Sequence, residues 1–143
     1  MTVSVRNDQR SAPVDAAKMA RLARRALRQL AITGRGEMAI TFLDDRRMRT
    51  LNKRFMRHDR TTDVLTFRYD GEPTVGEIFI SPAQARIYAR AHGLTYDEEL
   101  SRYVMHGLLH WLGHDDRTKT EQAAMRTREE RLMKACGMLN GAH

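Results

Sequence analysis

Hydrophobic residues recur along this chain with two periods, and the switches between them mark out its elements. Thr2 to Val5 alternates polar and apolar positions, as a half-buried strand does, and Asn7-Asp8 closes it. From Val14 to Leu30 the period lengthens. Met19, Leu22, Ala23, Ala26, Leu27 and Leu30 fall on one side, with Arg21, Arg24, Arg25 and Arg28 on the other, so an amphipathic helix with a basic outer face is predicted. Thr33-Gly34-Arg35-Gly36 breaks it, and Met38 to Leu43 is a short apolar run suited to a strand. Asp44 and Asp45 suit a helix start, with Met48, Leu51 and Phe55 as the inward stripe.

Two further strands, Val64 to Tyr69 and Glu77 to Ile80, flank a turn-rich stretch and are expected to pair. Ser81-Pro82-Ala83-Gln84 opens the next helix with a serine cap, a proline at the first position and an amide able to reach back, and Gly93 stops it. Thr95 with Glu98 launches a helix through Leu100, Val104, Leu108, Trp111 and Leu112 that is apolar nearly all round except for an edge of histidines. Such a helix is central and buried. Thr118 with Glu121 caps a last helix running to about Cys136, with Gly137 as its stop. Four strands and about five helices in alternation give an α/β or α+β layer fold in a single domain over residues 1–143, with the histidine helix under the sheet.

A chain of 143 residues can bury a real core without disulfides or a structural metal, so a metal here is expected to serve chemistry. The formal charge of +7 comes mostly from arginine, whose fork geometry favours phosphate. Nucleic acid is the natural partner, the alternative being a merely basic surface. Cys136 is the only cysteine and reads as a small core residue in a reducing compartment. No secretory leader and no run of about 18 apolar residues is seen, so a soluble cytoplasmic protein with no membrane role is expected.

The candidate chemistry lies in His106-Gly107-Leu108-Leu109-His110 and Gly113-His114-Asp115-Asp116. Histidines four apart share a helical face, with Cβ atoms about 6 Å apart, close enough for both imidazoles to reach one ion. Zinc accepts imidazole and carboxylate donors, and a catalytic site supplies three of them and leaves one position for water. Gly113 supplies the sharp exit that a third donor from the following turn requires. The plain alternative is a pair of ordinary histidines on a buried helix. Gly107 stands where a metalloprotease helix carries its glutamate base, so peptidase chemistry by that route lacks its proton acceptor.

A second candidate is the basic run from Arg46 to Arg60. Arg46, Arg47, Arg49, Lys53, Arg54, Arg57 and Arg60 stand against one carboxylate, Asp59. On a helix and its following loop such a run can track an RNA backbone, or it can be a solvated face. Thr62-Asp63 reads as a structural turn, and His58 and His92 as surface residues.

Taken together, "LNKRF", "TTDVLTF", "GEIFIS", "HGLLHWLGHDD" and "LMKACGM", in this order and spacing, resemble the YbeY family of bacterial endoribonucleases that act in ribosomal RNA maturation. The resemblance covers Leu51 to Met138 and implies an α+β fold with a small mixed four-stranded sheet. It also implies one zinc ion per chain, cleavage of single-stranded RNA, and work on the small ribosomal subunit. The family's motif ends in a third histidine whose column holds Asp116, while His114 stands in its tyrosine column. The implied metal set is therefore His106, His110 and Asp116, with His114 as the alternative third donor; the bend at Gly113 favours Asp116. The family's active arginine falls on Met56, so its neighbours Arg54 and Arg57 become the catalytic candidates, with Arg46, Arg47, Lys53 and Arg60 as RNA contacts. Two other functions stay open: a zinc hydrolase of peptides or small molecules, and a non-catalytic ribosome-assembly module with a structural metal.

Overall fold

A computed structural model describes residues 1–56, 62–71 and 73–138. Its sheet has four strands, β1 (Thr2–Asp8), β2 (Gly36–Leu43), β3 (Val64–Tyr69) and β4 (Thr74–Ile80), in the order β1-β2-β4-β3. β1 and β4 both run parallel to β2, and β3 runs antiparallel to β4, so the sheet is mixed. The helices are α1 (Ala16–Gln29), α2 (Asp45–Met56), α3 (Pro82–His92), α4 (Tyr96–Trp111) and α5 (Lys119–Ala135). The α+β layer fold expected from the sequence is present.

The strands are longer than their apolar runs. β1 pairs with β2 from Thr2↔Glu37 to Asp8↔Leu43, and β4 begins at Thr74, opposite Gly36, because ladder hydrogen bonds continue past the last buried side chain. Helix α1 starts at Ala16 rather than Val14, since Asp15 is its cap and accepts from the Lys18 amide at 3.1 Å.

Alternate residues of a strand face opposite sides of a sheet, and here the two sides are unequal. Met38, Ile40, Phe42, Ile78 and Ile80 point into the main core, where they meet α1, α4 and α5. Leu43, Leu65, Phe67 and Phe79 point the other way into a small cluster closed by Met48 and Leu51 of α2. Helix α2 thus covers the face opposite α4. Its expected inward stripe is corrected at one end: Met48 and Asn52 are buried, whereas Phe55 is 53% exposed. Phe55 lies past the small cluster and meets Phe67 only edge-on, with centroids 5.7 Å apart.

Among the described residues, no helix is long and apolar enough to cross a membrane.

Candidate metal centre

Helix α4 is set against the sheet by what it lacks. A Cβ added to Gly107 would lie 2.6 Å from Ile78 Cγ2, so only glycine lets the helix approach β4 this closely. The Thr66 hydroxyl donates to the Gly107 carbonyl at 3.2 Å and ties the same turn to β3. The N-terminus is capped by Thr95, whose hydroxyl accepts from the Glu98 amide at 3.1 Å, and Asp97, Glu98 and Glu99 place negative charge in the first turn. Position and rotation of α4 being fixed, His106 and His110 stand one turn apart with ring centroids 4.5 Å apart, edge to face.

The turn after α4 delivers the third group. Gly113 takes φ +100°, its amide donates to the His110 carbonyl at 2.9 Å, and the His114 amide donates to the Leu109 carbonyl at 3.0 Å. These paired bonds form the left-handed helix stop that glycine favours. The chain then doubles back so that Asp116 Oδ2 lies 3.4 Å from His106 Nε2 and its Oδ1 lies 3.3 Å from His110 Nε2. Among the described residues, His106, His110 and Asp116 form the group whose donor atoms lie within 4.8 Å of one another; His114 is not in it. Asp115 is turned elsewhere, 3.9 Å from Arg117 Nε.

This donor set fits a zinc ion. Donors bound tetrahedrally at about 2.0–2.1 Å are themselves about 3.3–3.4 Å apart, and each imidazole Nε2 lies at that distance from one of the two Asp116 oxygens. The pattern also fits from behind. Glu129 of α5, 4% exposed, places Oε2 2.5 Å from His106 Nδ1. A proton held between them leaves the Nε2 lone pair for an ion, the arrangement by which carboxylates orient metal-binding imidazoles. Burial pulls the His106 pKa down, but the hydrogen bond and charge of Glu129, with Asp63 and Asp116 behind them, outweigh burial, and the imidazole holds its proton above the usual 6.5. His114 moves the other way, lowered by burial and by Arg128 and His110.

Behind Glu129 lies a charged group that sequence reasoning does not single out. Arg102, one turn before His106, sits 3.8 Å from Glu129 and 3.5 Å from Glu99. Burial pushes the Glu99 carboxyl above its ordinary range, against the pull of Arg102. A cavity of about 310 Å³ opens beside these groups and shares His106 and Asp116 with the donor cluster. Among the described residues, Arg102 and Arg126 are the arginines that line it.

The other candidates lie elsewhere. Arg46, Arg47, Lys53 and Arg54 belong to α2, across the sheet, and none lines the cavity. Arg47 donates to the Asp8 carbonyl at 3.0 Å, and the Arg54 guanidinium lies 5.3 Å from the Phe55 ring centroid. Met56, at the end of α2, is 48% exposed. Arg57, His58 and Arg60 lie outside the described residues. The Asp63 side chain accepts from the Val64 amide at 2.8 Å, the local bond expected of a turn aspartate, and Asp63 also lines the cavity. His92 is exposed and stacks on Tyr88, and Cys136 is buried.

Fold and site together define a class: an α+β protein whose central helix and the turn after it hold three donors poised for one metal ion. The chain belongs to the YbeY endoribonuclease family, whose model, described as Endoribonuclease YbeY, matches residues 4–137. It is 38% identical over 135 residues to the Endoribonuclease YbeY of Anaeromyxobacter dehalogenans, covering 90% of this chain and 70% of that protein. To the Endoribonuclease YbeY of Myxococcus xanthus it is 36% identical over 124 residues, 82% of this chain, and there it spans only 42% of the relative's length. The Acholeplasma laidlawii protein of the same name is 38% identical over 98 residues, 67% of this chain and 72% of that one. A solution structure of a Thermotoga maritima protein superposes with a TM-score of 0.64 over 94% of this chain and 89% of that one, at 23% identity, and supports the fold.

Proposed function

We propose that this protein is a metal-dependent endoribonuclease that cuts single-stranded RNA and acts in maturation and quality control of the small ribosomal subunit, in the cytoplasm. His106, His110 and Asp116 would hold one zinc ion, and the observation that carries the reading is the gathering of their donor atoms within 4.8 Å of one another, with Glu129 fixed behind His106. An ion held there would supply Lewis acidity toward a phosphoryl oxygen or a water.

The chain's own residues do the rest. Glu129 engages His106 Nδ1 and so leaves Nε2 as the ring nitrogen that would serve a metal. Asp116 adds a negative charge that a third imidazole would not, and so moderates the Lewis acidity of the centre. Gly107 leaves no carboxylate beside the first imidazole, which favours a phosphodiester over a peptide as substrate. Arg57 is the candidate for offsetting charge in the transition state; Arg54, on α2 across the sheet from the donors, suits an RNA contact instead. Arg46, Arg47, Lys53 and Arg60 are candidates for tracking the RNA backbone, a role their dense positive charge supports.

Replacing both His106 and His110 with alanine is expected to abolish stoichiometric zinc and cleavage of a single-stranded RNA together, measured by metal analysis and product gels. If the purified double variant cuts as fast as the unmodified protein, the activity belongs elsewhere.

A further inference from the structure

Helix α1 carries a charge pattern that the metal centre does not use. Its inner side, from Met19 to Leu27, is buried in the main core, while Arg21, Arg24, Arg25 and Arg28 are exposed on the other. No carboxylate occurs in the sequence from Ala16 to Gly36, so nothing on the helix offsets them. Helix α5 continues the pattern alongside. The Arg25 guanidinium donates to the Cys136 carbonyl at 3.1 Å, which ties α1 to the end of α5. There Arg128, Arg131 and Lys134 are exposed, with Glu130 as the one exposed carboxylate among them. Both helices lie wholly within the described residues. The acidic side chains outside those residues are Asp59, which comes with Arg57 and Arg60, and Glu72, so they cannot cancel the row.

The surroundings of the row decide its partner. Neither helix contains an aromatic residue, and among the described residues the exposed large apolar side chains, Phe55, Met56, Tyr69 and Ile87, belong to other elements. A single strand binds where rings offer its bases a place to stack, and a bilayer takes up a helix by its apolar face, which in α1 is spent on the core. What remains is a rod of guanidinium groups suited to phosphates alone. The rod is held rigid: Asp15 caps it, Lys18 Nζ lies 2.7 Å from Asp97 of α4, and Arg25 holds α5. Arg21 to Arg28 covers about 10 Å of its axis. Phosphates in a fixed array with the bases turned inward are those of a double helix, which proteins grip by backbone and shape.

We propose that the α1–α5 face docks on the phosphate backbone of double-helical RNA, while the metal centre takes the adjoining single strand. The inference rests on the endoribonuclease reading and adds to it a second contact with the substrate, on the side of the sheet opposite α2. Helix α5 belongs to both places: Glu129 backs His106, and Arg128, its neighbour in the chain, is on the outer face.

The test uses zinc-loaded protein and two labelled RNAs, a short blunt duplex and an unstructured strand, with binding followed by fluorescence anisotropy across a salt series. Arg21→Glu combined with Arg28→Glu is expected to cut duplex affinity about tenfold or more and to flatten its salt slope by about two units, one for each phosphate no longer neutralised. Cleavage of the unstructured strand is expected to stay within about twofold, with zinc content and thermal unfolding unchanged because both positions are exposed. Arg21→Lys combined with Arg28→Lys keeps the charge and is expected to hold duplex binding within about threefold. Duplex affinity that survives the charge reversal overturns the proposal, and so does an equal loss for duplex and unstructured strand. Capture by phosphatidylserine vesicles that the reversal abolishes, with duplex binding intact, overturns it in favour of a membrane. Unmodified protein that cuts the strand but ignores the duplex sinks only this surface, whereas protein that binds the duplex and never cuts sinks the nuclease reading instead.

Discussion

Helix α2 and the α4–α5 pair lie on opposite faces of one sheet and handle charge in opposite ways. α2 carries its cations outward: Lys53 and Arg54 are exposed, and the buried members of the helix are Met48 and Asn52. α4 and α5 take Glu99, Arg102 and Glu129 almost completely out of water and set them in a line that ends on His106. A charge in water is cheap and weakly directed; a charge in a core is costly and acts strongly on its few neighbours. A dense run of arginines therefore speaks about the outer field of the molecule. A single glutamate inside an apolar stripe speaks about its chemistry.

The sharpest way to break this contrast is to remove the carboxylate behind His106. Glu129→Ala is expected to lower zinc affinity ten- to a hundredfold, about 1.4–2.8 kcal/mol, in a chelator competition. An unchanged affinity would make Glu129 a bystander. Next comes packing: Gly107→Ala must move the buried Ile78 side chain and is expected to cost about 1–3 kcal/mol in a denaturant titration. The exposed change Arg54→Ala should stay within about 0.5 kcal/mol in the same titration. Equal costs for the two would erase the difference between the faces. The smallest effect concerns the outer field. Arg46→Glu combined with Arg54→Glu should leave zinc content alone and flatten the salt dependence of RNA binding by about one unit of slope for each phosphate that is no longer neutralised. A slope that does not move would take the RNA path off α2.

Much of this architecture was legible because local chemistry and tertiary structure agree. The box at the start of α5 forms in both directions, with the Thr118 hydroxyl accepting from the Glu121 amide and the Glu121 carboxylate from the Thr118 amide. Gly113 and Gly137 stop their helices at positive φ, as their positions suggested. Local logic failed where a distant partner outbid a near one. The Gln84 side chain is placed by the sequence to reach back to the cap of α3, but the Ser81 amide is already held by the Asp63 carbonyl, and the Gln84 side-chain amide donates to Asp45 of α2 instead.

The site was legible in part for a related reason. His106, His110 and the carboxylates past Gly113 fall within one short stretch, so helical spacing and a glycine bend brought them to notice, and the resemblance to the family's motif pointed to Asp116 among them. Glu129 sits in a run, Arg126-Thr127-Arg128-Glu129-Glu130-Arg131, that looks like any solvated face. Its one signal was periodicity: position 129 continues the stripe through the buried Met125, Leu132 and Cys136. Arg102 gave a similar hint, one turn ahead of the first histidine on a helix otherwise free of outward charge at its centre.

The bend that carries Asp116 bears on how such a centre can change over time. The two imidazoles are fixed by a helix wedged against the sheet, but the aspartate stands outside that helix with its side chain 35% exposed. A replacement there meets water more than neighbours, so a lineage can try a different third donor, and with it a different reactivity, without rebuilding the interior.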